Sequence, residues 1–303
     1  MAIETSSPLI LFIILNWNSS EDTRNCINSL IPQLKNNQKI VVVDNGSTDE
    51  SLSLLTQTFP WLHFIQNERN LGFQGGMNIG IQYAVENNYE FVMLLNSDTI
   101  AAPDMMEILV ALIPDDAAIV SPGIYFMAAQ NRLCSTGGSI SPVFLETIIK
   151  AHIKNPNIAL NLEFLPSHAW LIRTSIFKTV GLLDESFFPL YYDDLDFCLR
   201  LKRRGYKLYL IPSAKIYHNI SISMGGKNSP KERYYMARNS GYYFRKNMSI
   251  WQAPLIFTYR LGSLILWSTR LMQRKSPEAL RSYWKGYKEG WFGKLPDTMK
   301  NPK

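Results

Sequence analysis

The chain has 303 residues, of which 46% are hydrophobic and 18% charged. That length buries a large core, and the composition excludes disordered, collagen-like and low-complexity chains. The net charge of +6 is mild but uneven: residues 1–230 carry 16 basic and 21 acidic side chains (net −5), and residues 231–303 carry 15 and 4 (net +11).

The first half alternates strand and helix. Leu9–Leu15 is a continuous apolar run, the pattern of a strand buried on both faces. Ser19 or Ser20 then caps a helix whose apolar positions Cys26, Ile27, Leu30, Ile31 and Leu34 suit one face. Ile40–Val43 reads as a second strand, and Ser47 with Glu50 has capping-box spacing for a second helix. His63–Ile65 is a short third strand. The turn Asn70–Gly76 leads into a helix expected over about Met77–Val85. Phe91–Leu95 is a fourth strand, and Pro103 opens another helix. Such alternation predicts an α/β fold with a mostly parallel sheet. Ligands bind beyond the carboxyl ends of strands in these sheets, which directs attention to Asn16–Asn18, Asp44–Ser47, Asn67–Gly76 and Asn96–Asp98.

The stretch 120–180 is less regular. Ser135–Ser139 reads as a turn, Ala169–Ile172 as a short strand, and Ser175–Val180 as a helix stopped by Gly181. Asp193-Asp194-Leu195-Asp196 precedes a basic helix, Phe197–Arg204, which Gly205 ends. Lys207–Ile211 is a further strand, followed by His218.

These positions carry chemistry with a plain alternative beside each. Asp44 closes a strand where a carboxylate can accept a hydrogen bond from a nucleotide base; it also fits a turn-forming residue before Asn45-Gly46. Asn96 and Asp98, at i and i+2, can face Mg²⁺ or Mn²⁺, or simply cap the next helix. Asp193 and Asp194 are close enough to raise each other's pKa, as suits a general base, or they favour the dipole of the following helix. His218 is a candidate imidazole ligand; His63, His152 and His168 read as ordinary surface or core residues. Gly72, Gly75 and Gly76 form a phosphate-approach-like loop without dinucleotide-fingerprint spacing.

The order of these features over residues 9–250 resembles family 2 glycosyltransferases of the GT-A fold, the large group of inverting bacterial sugar transferases. The resemblance rests on Ile14–Asn18, Val42–Asp49, Asn67–Gly80, Leu94–Thr99 and, most specifically, Leu182–His218. It implies that Asp44 reads the base of a UDP- or dTDP-sugar, with Asn16, Asn18, Asn70, Gly72 and Gly76 lining the nucleotide pocket. It implies a cation, Mg²⁺ or Mn²⁺, held by Asp98 and His218 beside Asn96. It makes Asp194 the catalytic base with Asp193 next to it, and has Arg238-Asn239 close over the nucleotide. A rhamnosyltransferase-like enzyme is the narrower expectation, its acceptor a glycan or polyprenyl-linked saccharide. The chain departs from the family pattern at Asn96, Ser97, Met77 and the Asp-Asp pair; Asn96 and Met77 make a non-catalytic nucleotide-sugar-binding protein the alternative.

Residues 231–303 hold 14 of the 37 aromatic residues, and Leu255–Leu271 is an apolar stretch interrupted by Arg260 and Arg270. We expect two parts: a catalytic domain, 1–230, and a basic helical extension, 231–303. The extension reads as an amphipathic segment lying in a membrane interface, or as a helical layer on the core. No nucleic-acid module accompanies it, so a nucleic-acid partner is not expected. Cys26, Cys134 and Cys198 form no CxxC pair, which fits a reducing compartment. Neither a signal peptide nor a spanning segment is apparent. The expected location is cytoplasmic, peripheral on the inner face of the membrane.

Overall fold

The computed structural model describes residues 8–149, 153, 155–218, 226, 228–296 and 299; His152 lies outside them. The chain begins with β1 (Ile10–Asn16), α1 (Ser20–Leu30), β2 (Gln38–Asp44), α2 (Ser51–Thr58), β3 (His63–Gln66), α3 (Gly72–Glu86) and β4 (Phe91–Asn96). A tight turn leads to β5 (Thr99–Ala101), α4 (Met105–Ala111), β6 (Ala117–Phe126), β7 (Ala129–Ser135) and a hairpin of β8 (Gly138–Ile140) and β9 (Thr147–Ile149). Next come β10 (Leu160–Leu162), β11 (Ala169–Arg173), α5 (Ser175–Val180), α6 (Asp193–Arg203) and β12 (Lys207–His218). Three helices close the chain: α7 (Pro230–Asn247), α8 (Ala253–Gln273) and α9 (Pro277–Phe292).

The main sheet runs β10-β12-β6-β11-β4-β1-β2-β3. The half from β4 to β3 is parallel, as expected. The other half is mixed: β11 is antiparallel to both β4 and β6, while β12 is parallel to β6. Strand periodicity divides the core. Leu11 and Ile13 of β1 pack with Met77 and Ile81 of α3, whereas Ile10, Phe12 and Ile14 pack with Cys26, Ile27 and Leu30 of α1. A strand covered on both faces needs apolar residues at every position, which is why β1 reads as an unbroken run.

Three expectations are corrected. The capping box at Ser47 does not form: α2 starts at Ser51, and the Ser47 hydroxyl donates to Asp44 Oδ1 at 2.6 Å. Helix α3 starts at Gly72 rather than Met77, and Asn70 Oδ1 accepts the Gly72 N–H (2.7 Å). The stretch 120–180 contains β6, β7, the hairpin and β10 rather than irregular chain. The Arg260 that interrupts the apolar C-terminal run points inward, 6% exposed.

The C-terminal helices share the core of the body. Tyr242, Tyr243 and Phe244 of α7, Ile256 of α8 and Trp291 of α9 belong to the same buried cluster as α3 and α6. A buried ion cluster fastens α6 to α7: Asp196 accepts from Arg200 (2.9 Å), Lys246 (2.9 Å) and Asn247 (3.0 Å), and Lys246 also reaches Asp184 (2.7 Å). Burial opposes ionisation of Asp196, but Arg200 and Lys246 hold its carboxyl below the usual range.

Candidate active site

Beyond the carboxyl ends of β1 and β4 lies a cavity of about 560 Å³, a size that suits a small ligand. Two pairs of side chains project into it. The first is Asp98 and His218, with Asp98 Oδ2 3.2 Å from His218 Nε2. Asp98 sits in the turn between β4 and β5. The three residues of β5 pair antiparallel with the end of β12, which sets Thr99 opposite His218 and so brings the imidazole to Asp98. Burial alone would lower the His218 pKa; the Asp98 carboxylate and the Cys134 thiol more than offset this and push it to about 9. The ring of His168, a residue not singled out from the sequence, meets that of His218 edge-on at 4.5 Å. Burial, then the neighbouring His218, lowers the His168 pKa to about 4.

Asn96 lines the same wall, and its Oδ1 is buried without a hydrogen-bond partner. The orphaned amide oxygen and the carboxylate suit Mg²⁺ or Mn²⁺, and the imidazole joins them as a donor once it gives up its proton. Among the described residues no group of three or more His, Cys, Asp and Glu side chains could hold a metal ion, so the fit depends on Asn96 and on oxygens brought by a ligand.

The second pair is Asp193 and Asp194, at the first turn of α6. Burial raises the pKa of both, and for Asp193 the Asp194 charge adds to it. The Leu195 N–H donates to Asp194 Oδ1 at 2.8 Å, while Asp193 Oδ2 is buried without a partner. The preceding loop places Tyr191 (φ +80°) and Tyr192 (φ +69°) consecutively in the left-handed region, a strained arrangement for non-glycine residues. Asn239 of α7 holds it. Its buried Nδ2 donates to the carbonyls of Phe187 (2.7 Å), Leu190 (2.8 Å) and Tyr191 (3.3 Å). Asp196, in the same first turn, faces the ion cluster and does not line the cavity.

The remaining site expectations fall on the loops after β1, β2 and β3. Asn16 and Asp44 pair in register across β1 and β2. Asp44 is fully buried, and its oxygens accept from Asn16 (2.8 Å), the Ser47 hydroxyl and the Ser47 N–H (3.0 Å). Its carboxylate is therefore turned into the loop rather than presented to the cavity. Asn16 Oδ1 is occupied by Thr23 (2.7 Å), and the exposed Asn18 accepts the Thr48 N–H (2.8 Å). The residue between them, Trp17, is the one that lines the cavity.

Asn45, unremarked in the sequence beyond its place in a turn, joins two loops. It donates to Asn70 Oδ1 (3.2 Å) and the Gly72 carbonyl (3.0 Å), and accepts from Asn67 (3.1 Å) and the Leu71 N–H (3.1 Å). Gly46 (φ +69°) lets the Arg69 backbone approach: a Cβ there would stand 2.5 Å from the Arg69 carbonyl carbon. Gly72 and Gly76 are buried and do not line the cavity. A Cβ on Gly76 would lie 2.3 Å from Leu15 Cδ1, so this glycine serves close packing of α3 on β1. Phe73, in the first turn of α3, is the residue of this segment that reaches the cavity. Met77 is fully buried in the core and does not line the cavity, and the adjacent Asn78 ties α3 to Leu183 and Glu185. Arg238 also misses the cavity: it donates to the Phe188 carbonyl and lies over the Tyr235 ring at 4.8 Å.

Residues 11–181 match the profile of glycosyl transferase family 2.

The chain belongs to glycosyl transferase family 2.

This glycosyltransferase is 26% identical to the dTDP-rhamnosyl transferase RfbF of Shigella flexneri over 77% of its own length and 79% of the relative's. It is 27% identical to the N-acetylglucosaminyl-diphospho-decaprenol L-rhamnosyltransferase of Mycobacterium tuberculosis, over 78% and 84%. Its fold is similar to that of GalNAc-T7, solved with UDP, GalNAc and Mn²⁺. The TM-score is 0.64 at 16% identity, covering 80% of this chain and about half (51%) of that one. The mixed sheet with its C-terminal helices is a GT-A fold.

Proposed function

We propose that this glycosyltransferase transfers a sugar, with inversion, from a nucleoside-diphosphate sugar to a hydroxyl of a glycan or lipid-linked saccharide. The observation that carries the reading is the meeting of Asp98–His218 and Asp193–Asp194 in one cavity. The names of the two relatives support a 6-deoxyhexose donor, with dTDP-rhamnose the first candidate and UDP-sugars the second. The decaprenol in one of those names supports a carrier-linked acceptor, which in this reading is met at the inner face of the cytoplasmic membrane.

Asp194 is the base in this reading. Its carboxylate takes the proton of the acceptor hydroxyl as that oxygen bonds to the anomeric carbon, and the bond to the diphosphate oxygen breaks on the opposite face. The electron pair leaves with the nucleoside diphosphate. Burial makes Asp194 a stronger base than an exposed carboxylate, which suits the task. Asp193, raised further, donates or accepts a proton beside it without adding a second full charge. Asp98, His218 and Asn96 would hold Mg²⁺ or Mn²⁺. A bound divalent cation supplies charge neutralisation to the diphosphate. Trp17 and Phe73 offer aromatic faces to the donor, while Asn16, Asn18, Asp44, Asn45 and Asn70 keep the nucleotide loops in shape. Arg238 and Asn239 act on the loop before Asp193 rather than on the nucleotide.

The test is a panel of dTDP- and UDP-sugars with Mn²⁺ and carrier-linked acceptors, following nucleoside diphosphate release and the anomeric configuration of the product. Acceptor-dependent release with inverted product is expected. Donor binding without transfer or hydrolysis across the panel would favour the non-catalytic alternative, which Asn96 alone still supports now that Met77 lies in the core.

A further inference from the structure

Helix α8 is apolar on two sides. Its inner side, Ile256, Leu264 and Leu271, is buried, and Arg260 on the same side reaches Glu146 Oε1 at 3.3 Å. Its outer side leaves Leu255 47%, Leu261 54%, Ile265 58% and Met272 56% exposed, at spacings that follow one helical face through Thr258, Gly262 and Thr269. Ile250 (94%) and Trp251 (61%) are exposed in the turn just before the helix. Single exposed apolar residues are ordinary; a contiguous stripe of this length is not.

The exposed charge on α8 and at its end is positive. Of the eight Lys or Arg in residues 233–277, Arg233, Lys246 and Arg260 are buried against acidic partners, and Arg270, Arg274 and Lys275 are exposed. Arg270 lies over the Trp267 ring at 5.4 Å, and Arg274 and Lys275 follow at the exposed end of the helix. An apolar face with a cationic end complements an anionic bilayer, where such a helix lies in the plane of the headgroups. A second copy of this chain would instead bring like charge against like. Among the described residues no helix is long and apolar enough to cross a membrane.

We infer that the outer face of α8 is the surface by which the protein docks on anionic phospholipid, with Ile250, Trp251, Leu261 and Ile265 entering the interface. This rests on the reading of a carrier-linked acceptor and specifies where the carrier's membrane is met. The inner side gives the docking a consequence: through Arg260, α8 is fastened to Glu146, which with Thr147 lines the active-site cavity. A membrane-bound α8 therefore carries the cavity wall with it.

The test is flotation of the full chain with vesicles of phosphatidylcholine alone and with 30% phosphatidylglycerol (about a third anionic, enough to recruit a basic interfacial helix). The wild type is compared with L261D/I265D and R274E/K275E, and dTDP binding is measured in parallel. Wild-type binding at least tenfold stronger on anionic vesicles is expected. L261D/I265D should lose most of it, R274E/K275E should lose the anionic preference, and both should retain dTDP binding. Vesicle binding unchanged in L261D/I265D would overturn the inference. So would a wild-type dimer, seen by light scattering, that this variant dissolves. A wild type that floats as expected but binds no nucleotide would sustain the docking surface while counting against the transferase reading.

Discussion

At the residue scale, the acidic pair governs the expected pH dependence. Asp194 must be deprotonated to act as a base, and burial raises its pKa. The rate should therefore fall as pH drops, with a midpoint above the usual carboxylate value of about 4. A pH–kcat profile checks this; an acid limb at or below that value would contradict the assignment. Stability has the opposite slope. Because the folded state raises both carboxyl pKa values, it binds more protons than the unfolded state between the unfolded and folded values. The stability from these groups is full at low pH and is lost as pH rises through the folded pKa values. Asp193→Asn, which cannot ionise, should raise the melting temperature at pH 8 while slowing transfer. The sequence offers Asp98, Asp194 and His218 as candidates beside plain alternatives, and their proposed roles come from the family resemblance. Asn45, Asn78 and Asn239 were not legible as anchors. Their partners lie 22 to 107 positions away, and no local pattern encodes them.

Among the elements, the parallel half of the sheet could be read because its strands are apolar on both faces and its helices carry one apolar side. Strand β6 could not: Ser121, Pro122 and Gly123 interrupt its apolar run, and its pairing with β12 is irregular as well. Strand β5 has three residues, too few for any periodicity, yet it delivers His218 to Asp98. The loop before α6 is strained, and its restraint comes from α7. Asn239→Ala would leave up to three carbonyls without their donor and should destabilise the fold by about 2–3 kcal/mol. It should lower kcat more than it changes the donor KM, since the loop aims Asp194 and not the nucleotide. Chemical denaturation and steady-state kinetics measure the two effects; equal loss in kcat and donor affinity would show that α7 acts on the nucleotide. Gly46→Ala forces a side chain into a left-handed position against the Arg69 backbone. We expect a loss of about 1–3 kcal/mol together with weaker donor binding.

For the molecule as a whole, the uneven charge divides along structural lines. The acidic body carries the cavity and its carboxylates; the basic C-terminal helices complete the core on one side and present the face of α8 on the other. A cation held as proposed would take one carboxylate, one imidazole and one amide oxygen from the protein, so its affinity would depend on the diphosphate. Mn²⁺ and dTDP added together should raise the melting temperature by more than the sum of their separate effects, and strictly additive shifts would argue against a shared site. The most direct test of the central claim sets Asp194→Asn beside the wild type with dTDP-rhamnose, Mn²⁺ and acceptor, measuring donor affinity and nucleoside diphosphate release in the same samples. The account predicts unchanged donor affinity and a rate lower by about 10²–10⁴-fold. Turnover by the variant at the wild-type rate would contradict it.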